Sequence, residues 1–134
     1  MRGGRQRLAG LVPVCTACLA LVACDPVPLR LPAAPPFALP ERFTALGTEP
    51  FWAAKVVGRK LTYSTPLEQP ERIVAVTRSL GADHATVAGV LDDRALRLRI
   101  TAGPCSDGMS DTVYPLTVER TVGDAVQHGC ARSD

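Results

Sequence analysis

RALRLRIT, residues 94–101, is the stretch that decides the fold. Leu96, Leu98 and Ile100 alternate with Arg97 and Arg99 along it. Because successive side chains of a β-strand point to opposite faces, this period of two places the three apolar side chains in a core and the two arginines in solvent. The stretch therefore predicts a β-strand with one buried face.

Short apolar segments with turn residues between them flank this strand on both sides. The same criteria predict further strands at residues 51–57, 61–65, 72–77, 84–91, 113–120 and 125–130, with a loop at residues 66–71. Nothing between these strands has helical periodicity long enough for a crossover helix, which argues against a parallel α/β sheet. The predicted fold is all-β: a small antiparallel barrel or sandwich of about seven to eight strands.

The first 23 residues have the pattern of a lipoprotein signal peptide. Residues 1–7 carry three arginines and no acid, and residues 8–23 carry no charge. An apolar run of this length falls short of the roughly 20 residues of a membrane-spanning helix, so a cleaved leader is favoured over a permanent span. The run ends Leu21-Val22-Ala23-Cys24, which resembles the bacterial lipobox. Cys24 is therefore the predicted lipidation site.

Residues 24–41 are predicted to form a proline-rich tether. Six prolines lie between positions 26 and 40. Each proline fixes φ and removes a backbone donor, so the segment favours extended polyproline II structure. Apolar side chains near its end, Phe37 and Leu39 among them, leave the alternative that this end packs onto the domain. The domain itself is predicted to cover residues 42–134.

The five cysteines fall into three groups under this organisation. Cys15 and Cys18 would leave with the signal peptide, and Cys24 would carry the lipid. Cys105 and Cys130 then remain together in an oxidising compartment. A Cys105–Cys130 disulfide is the expected outcome there, and two free thiols are the alternative.

The charge balance argues against a nucleic-acid partner. The chain has 15 Lys+Arg and 13 Asp+Glu residues, but three of the arginines belong to the leader. The mature chain is therefore nearly neutral and lacks the concentrated positive surface that nucleic-acid binding requires. The expected partners are the membrane, through the lipid anchor, and an envelope or host protein.

Two segments stand out from the regular strand pattern. The first is Gly47-Thr48-Glu49-Pro50-Phe51-Trp52, and the second is Cys105-Ser106-Asp107-Gly108-Met109-Ser110-Asp111, followed by Tyr114-Pro115 and closed by Gly129-Cys130. Together they resemble an uncharacterised family of small bacterial periplasmic proteins and lipoproteins, over residues 43–131. That family has no established activity, so the resemblance implies an envelope location and the disulfide, and it implies no mechanism. Apart from its predicted strands, the stretch of residues 68–93 matches no sequence motif that we can identify.

Five residues of these segments are candidate ligand-binding residues. Glu49 and Trp52 line a ligand groove in one interpretation and are packing residues at a strand entry in the other, which we favour. Asp107 and Asp111 offer oxygen ligands to a cation or a basic partner, with Tyr114 beside them. The favoured alternative is a disulfide-pinned turn, because the loop departs from the Ca²⁺-binding pattern.

The sequence carries no catalytic signature. Neither His84 nor His128 has nearby cysteines or acids in the pattern typical of a zinc site, and there is neither a Gly-x-Ser-x-Gly elbow nor a glycine-rich phosphate loop. We therefore expect no catalytic residue, metal or cofactor. The expected function is that of a periplasm-facing, lipid-anchored envelope lipoprotein acting as a non-enzymatic binding or structural module. The alternatives are a protein binder like the lysozyme inhibitors, by fold-level analogy only, and a small enzyme.

Overall fold

The computed structural model describes residues 37–134. The predicted signal peptide, Cys24 and the tether up to residue 36 lie outside the described residues. Over the described range, no helix has the length and hydropathy needed to cross a membrane.

Nine antiparallel strands form a single sheet in this range. Their order across the sheet is β4-β3-β2-β1-β9-β8-β7-β6-β5. The strands are β1 (Arg42–Thr48), β2 (Phe51–Val57), β3 (Lys60–Thr65), β4 (Glu68–Ala75), β5 (Thr77–Leu80), β6 (His84–Leu91), β7 (Arg94–Ser106), β8 (Val113–Val122) and β9 (Ala125–Ser133).

The sheet curls into a nearly closed barrel because one run of chain changes partner. β4 and β5 lie at opposite ends of the strand order, yet only Val76 separates them in the sequence. This run pairs first with β3 and then with β6. At the junction Gly89 of β6 lies so close to β4 that a Cβ would be 2.8 Å from the carbonyl oxygen of Ala75. The nine strands thus occupy eight positions around an up-and-down barrel, which confirms the predicted all-β fold.

The interior of the barrel is filled by the residues that alternation predicts. Leu96, Leu98 and Ile100 are buried, whereas Arg97 and Arg99 are exposed. Each strand adds inward-facing apolar side chains in the same way. The cluster consists of Phe43, Ala45, Trp52, Ala54, Val56, Leu61, Tyr63, Val74, Val76, Val87, Leu91, Leu96, Leu98, Ile100, Leu116, Val118, Val122 and Ala131.

Three parts of the sheet differ from the predicted strand boundaries. The loop expected at residues 66–71 is wrong in part, because only Pro66 and Leu67 turn the chain and β4 begins at Glu68. Pro70 is tolerated there because β4 ends the strand order on one side and does not need every backbone donor. The strands β1 and β5 were not predicted, and β7 continues beyond the predicted end at Thr101 to Ser106.

The end of the tether packs against the barrel. Phe37 and Leu39 are partly buried against the core, as in the alternative interpretation of this segment. Arg78 of β5 holds the backbone here by donating to the carbonyl oxygens of Leu39 (3.3 Å), Pro40 and Glu41 (3.1 Å). Its guanidinium also lies 3.4 Å from the Glu41 carboxylate. We call this set of contacts the Arg78 clamp.

Candidate functional site

The indole of Trp52 lies across two glycines. Trp52 on β2 is opposite Gly47 on β1, which is in turn opposite Gly129 on β9. A Cβ at Gly47 would lie 1.9 Å from Trp52 Nε1, and one at Gly129 would lie 3.0 Å from Trp52 Cζ2. The ring therefore requires glycine at position 47, whereas at Gly129 the nearest atom to a Cβ would be the carbonyl oxygen of Leu46, at 2.1 Å. By contacting both glycines the ring joins the two distinctive sequence segments. Trp52 is only 3% exposed, in agreement with the packing interpretation.

Arg120 brings a charge into this apolar interior. It lies on β8 in the same inward-facing series as Val118 and Val122, and it is 8% exposed. Its Cζ atom is 5.4 Å from the ring centroid of Trp52 and 5.6 Å from that of Tyr63. Its Nη1 atom also donates a hydrogen bond to the hydroxyl oxygen of Tyr63. Two aromatic side chains therefore surround the guanidinium, and one of them, Tyr63, also accepts its hydrogen bond.

The guanidinium of Arg120 has no carboxylate partner among residues 37–134. Within the same described range, three buried atoms have no hydrogen-bond partner: Arg120 Nε, Trp52 Nε1 and Oε1 of the cross-strand neighbour Gln127. Burial lowers the pKa of Arg120 because it removes hydration from the charged form. Burial likewise raises the pKa of Tyr63, so that hydroxyl keeps its proton at neutral pH. The group is a buried cation with unused donors.

A cavity of about 630 Å³ opens beside Arg120 at one end of the barrel. Residues of three turns line its mouth, namely those between β1 and β2, β3 and β4, and β6 and β7, and Val122 of β8 and Gln127 of β9 line the cavity as well. Arg120 and Tyr63 form its deep end, because each lies two residues farther from the end of its strand than Val122 of β8 and Thr65 of β3, which also line the cavity. A volume of this size with mainly apolar walls is typical of small-molecule pockets. The apolar lining residues are Pro50, Phe51, Pro66, Leu67, Leu91 and Val122.

The charged residues at the rim of the cavity largely neutralise one another. Arg72 of β4 forms salt bridges with Glu68 and with Asp92, the latter at 2.7 Å. The hydrogen bond from Arg72 lowers the pKa of Glu68. Arg94 and Glu49 complete the charged rim as exposed side chains. These acids lie at the solvent-facing mouth, and the deep cation remains unpaired.

The two residues predicted as a ligand groove contribute unequally to this cavity. Glu49 lines its rim directly. Trp52 supports it from behind, through the contact between its ring and Arg120. The structure therefore places both residues near one cavity, with the buried tryptophan positioning the cation that faces it.

The predicted disulfide is present. Cys105 and Cys130 are joined, which links the end of β7 to β9 across a sequence separation of 25 residues. In the chain-entropy model a closed loop of this length contributes roughly 3.5 kcal/mol to stability. The bond holds the β7–β8 connection next to Leu46 and Thr48 of β1.

The acidic loop that follows Cys105 is organised by hydrogen bonds within itself. Asp107 accepts from the backbone N–H groups of Met109 and Ser110, both at 3.0 Å, and from the hydroxyl of Tyr114 at 3.1 Å. The two backbone bonds are the main reason that the pKa of Asp107 is lowered. Asp111 is exposed, and residues 37–134 contain no group of three or more side chains suited to a metal ion. This geometry is that of a turn built around Asp107.

Arg120 and Tyr63 are the residues that sequence reasoning missed. The usable signal was the inward series Leu116, Val118, Arg120 and Val122, in which an arginine occupies a position that alternation assigns to the core. The partner of that arginine could not be read in the same way. Tyr63 precedes it by 57 residues, and only the barrel brings them together.

Comparison of the chain with protein-family models, with curated proteins and with solved structures finds no match.

Proposed function

We propose that this chain is a non-enzymatic binding module of the bacterial envelope, and that the mouth of its barrel binds a small organic anion at Arg120. One observation carries the proposal. A guanidinium that is 8% exposed and has no carboxylate partner among the described residues lies at the deep end of an open cavity.

The energetic balance at Arg120 favours binding of a negatively charged partner. Moving such an ion out of water costs several kcal/mol even after the surroundings relax. Each contact with an aromatic face returns about 0.5–2 kcal/mol, and the hydrogen bond to Tyr63 returns about 1.5–3 kcal/mol. These contributions leave the cation near balance without giving it a net stabilising role. An anion that reaches it through the cavity would interact strongly, because the surroundings are poor in water.

Tyr63 supplies a second donor for such an anion. Its oxygen accepts the hydrogen bond from Arg120, so its own O–H proton is free to point elsewhere. The raised pKa keeps that proton in place at neutral pH. A guanidinium and a phenol side by side present two donors, which suits the two oxygens of a carboxylate.

The acidic residues at the rim do not prevent an anion from binding at Arg120. Glu68 and Asp92 share Arg72, and Arg94 lies at the same mouth as Glu49. Charges at a solvent-exposed mouth are screened by water and salt, whereas a charge at the buried end is screened much less. The electrostatic energy of a small anion in the cavity therefore depends mainly on its distance from the guanidinium of Arg120.

Titration of the purified full chain with benzoate, followed by the emission of Trp52 and by calorimetry, tests the binding proposal. The chain contains one tryptophan, so the emission reports the neighbourhood of Arg120 alone. We expect benzoate to bind and the neutral benzamide to bind at least tenfold more weakly. Arg120→Met should weaken benzoate binding by about 10- to 100-fold, the loss expected for a hydrogen bond to a charged group.

Arg97→Met is the matched control, because Arg97 is an exposed arginine on the outer face of the neighbouring strand β7. It removes the same net charge and should leave benzoate binding unchanged. Equal binding of benzoate by the parent chain and the Arg120→Met variant would refute the proposed site. Equal weakening by both variants would show a general charge effect and would refute it as well.

The proposed envelope location rests on the leader and on the lipobox around Cys24. We propose that Cys24 carries the lipid and that the proline-rich segment connects it to the barrel. Cys24→Ser should abolish incorporation of radioactive palmitate and leave the precursor uncleaved, whereas Cys18→Ser should leave both steps intact. Unchanged labelling of the Cys24→Ser chain would exclude this anchor.

A further inference from the structure

We infer that the ligand of the barrel mouth is a single-chain amphiphile with a carboxylate head, and that it enters head first. The inference rests on the proposed function and adds the class of ligand and its orientation. It follows from how polar and apolar groups are distributed along the depth of the cavity.

The polar donors are concentrated at the bottom of the cavity. Arg120 and Tyr63 are both buried there, and Gln127 lies beside them as the cross-strand neighbour of Arg120. Nearer the turns the wall is formed by the side chains of Leu91 and Val122, the last residues of β6 and β8. An anionic head therefore finds buried donors at the deep end, whereas the charge of Arg94 at the rim is exposed to solvent and screened by it.

The mouth of the cavity is apolar as well as charged. Leu67, in the turn between β3 and β4, is 96% exposed, and Phe51 at the start of β2 is 44% exposed. Both line the cavity. Large apolar side chains left this open to water gain from contact with a hydrocarbon chain that passes between them. The ligand should therefore continue as an apolar tail from the head to the rim.

A ligand that entered tail first would place its apolar end against the polar groups of the cavity. A hydrocarbon end at the bottom would cover the guanidinium of Arg120 with apolar atoms and leave its free donors without partners, which is costly. At the rim, Arg72 is already paired with Glu68 and Asp92 and has little to offer a head group. Head-first entry satisfies the deep donors and covers the exposed apolar rim together.

A sugar or nucleotide suits the cavity less well. Such ligands carry hydroxyl or phosphate groups over their whole length and need polar partners at several depths. Between the bottom and the rim, the wall is dominated by Leu91, Val122 and the prolines Pro50 and Pro66. One charged head followed by methylene groups matches this order of surfaces.

The first test is a chain-length series, from butanoate to dodecanoate, titrated into the purified full chain below the micelle concentration. Affinity should rise by about three- to fourfold per methylene while the tail remains in the cavity, and then level off once it reaches the rim. The 1-alkanols of equal length should bind at least tenfold more weakly. Arg120→Met should bring dodecanoate to the affinity of dodecanol, and Arg97→Met should have no effect. Residues 1–36 are the same in every variant, so any uptake by them cancels in the comparison.

The second test reports orientation through quenching of Trp52 by bromine. In the head-first arrangement, 2-bromododecanoate places its bromine near Arg120 and therefore near the indole, which lies 5.4 Å from that guanidinium. It should quench the emission more strongly than 12-bromododecanoate at equal occupancy. Stronger quenching by the 12-bromo compound would overturn the orientation.

The outcomes separate the two proposals. If benzoate and butanoate bind through Arg120 but affinity does not increase with chain length, the amphiphile inference fails while the anion site stands. If no carboxylate of any length distinguishes the parent chain from Arg120→Met, the anion site and this inference fail together.

Discussion

Two shielded arginines at different places in the barrel have opposite surroundings. The Arg78 clamp places one guanidinium against three backbone carbonyls and the carboxylate of Glu41. Arg120 is more deeply buried, yet its only hydrogen bond among residues 37–134 is to the phenol of Tyr63, and the ring of Trp52 lies against its guanidinium as well. Arg78 is thus matched by acceptors from its own chain, and Arg120 is not.

The difference separates a structural arginine from a functional one. A charge that holds the fold together is expected to have acceptors within the fold, because an unpaired charge lowers stability. Arg78 meets that expectation and fixes the chain before β1 to β5. Arg120 departs from it at a place where a cavity offers access from outside. Perturbed and incompletely paired ionisable groups in clefts are frequent at binding sites.

The largest expected effect comes from removing the ring that supports Arg120. Trp52→Ala should lower the free energy of unfolding by about 3–5 kcal/mol, because it leaves a large void over Gly47 and Gly129. Urea denaturation of the full chain measures this loss. Trp52→Phe retains an aromatic face and should lose less than half as much. A Trp52→Ala chain as stable as the parent would mean that the ring does not support the site.

The same ring explains why one strand escaped prediction from the sequence. β1 points one large residue, Phe43, inward, and its next inward residues are Ala45 and Gly47, so it lacks the series of large apolar residues by which strands are recognised. Gly47 must be small because Trp52 occupies the space above it. Arg94–Thr101 was predictable because its inward residues, such as Leu98, fill their own space. Alternation thus identifies strands whose own inward side chains are large. It misses strands whose inward residues are small because a side chain of a neighbouring strand fills the space.

The candidate site was predictable only in part for a related reason. Glu49 and Trp52 are conspicuous in the sequence as neighbours of a proline-containing turn, and they lie at and behind the cavity. Arg120 belongs to a strand that the sequence predicts, and alternation assigns it to the same face as Val118 and Val122. Its contact with Tyr63 depends on the closure of the whole sheet, which no local pattern encodes.

An intermediate effect is expected at the Arg78 clamp. Arg78→Met should lower the free energy of unfolding by about 2 kcal/mol, because it leaves the carbonyls of Leu39 and Pro40 without their charged donor. Thermal or urea unfolding of the full chain measures the change, and Arg97→Met provides the control for loss of an exposed arginine. If Arg78→Met destabilises no more than this control, the clamp is not a structural contact and the contrast with Arg120 is lost.

The smallest expected effect on stability is at the more deeply buried arginine. Arg120→Met should change the free energy of unfolding by no more than about 1 kcal/mol in either direction, because the lost ring contacts and hydrogen bond are offset by the hydration that the guanidinium no longer gives up. The measurement is the same urea titration, made without added carboxylate. A loss of 2 kcal/mol or more would make Arg120 a structural residue of the same kind as Arg78. Near-neutral stability together with lost benzoate binding would instead show that this charge is retained for a ligand, since the fold alone gains nothing from it.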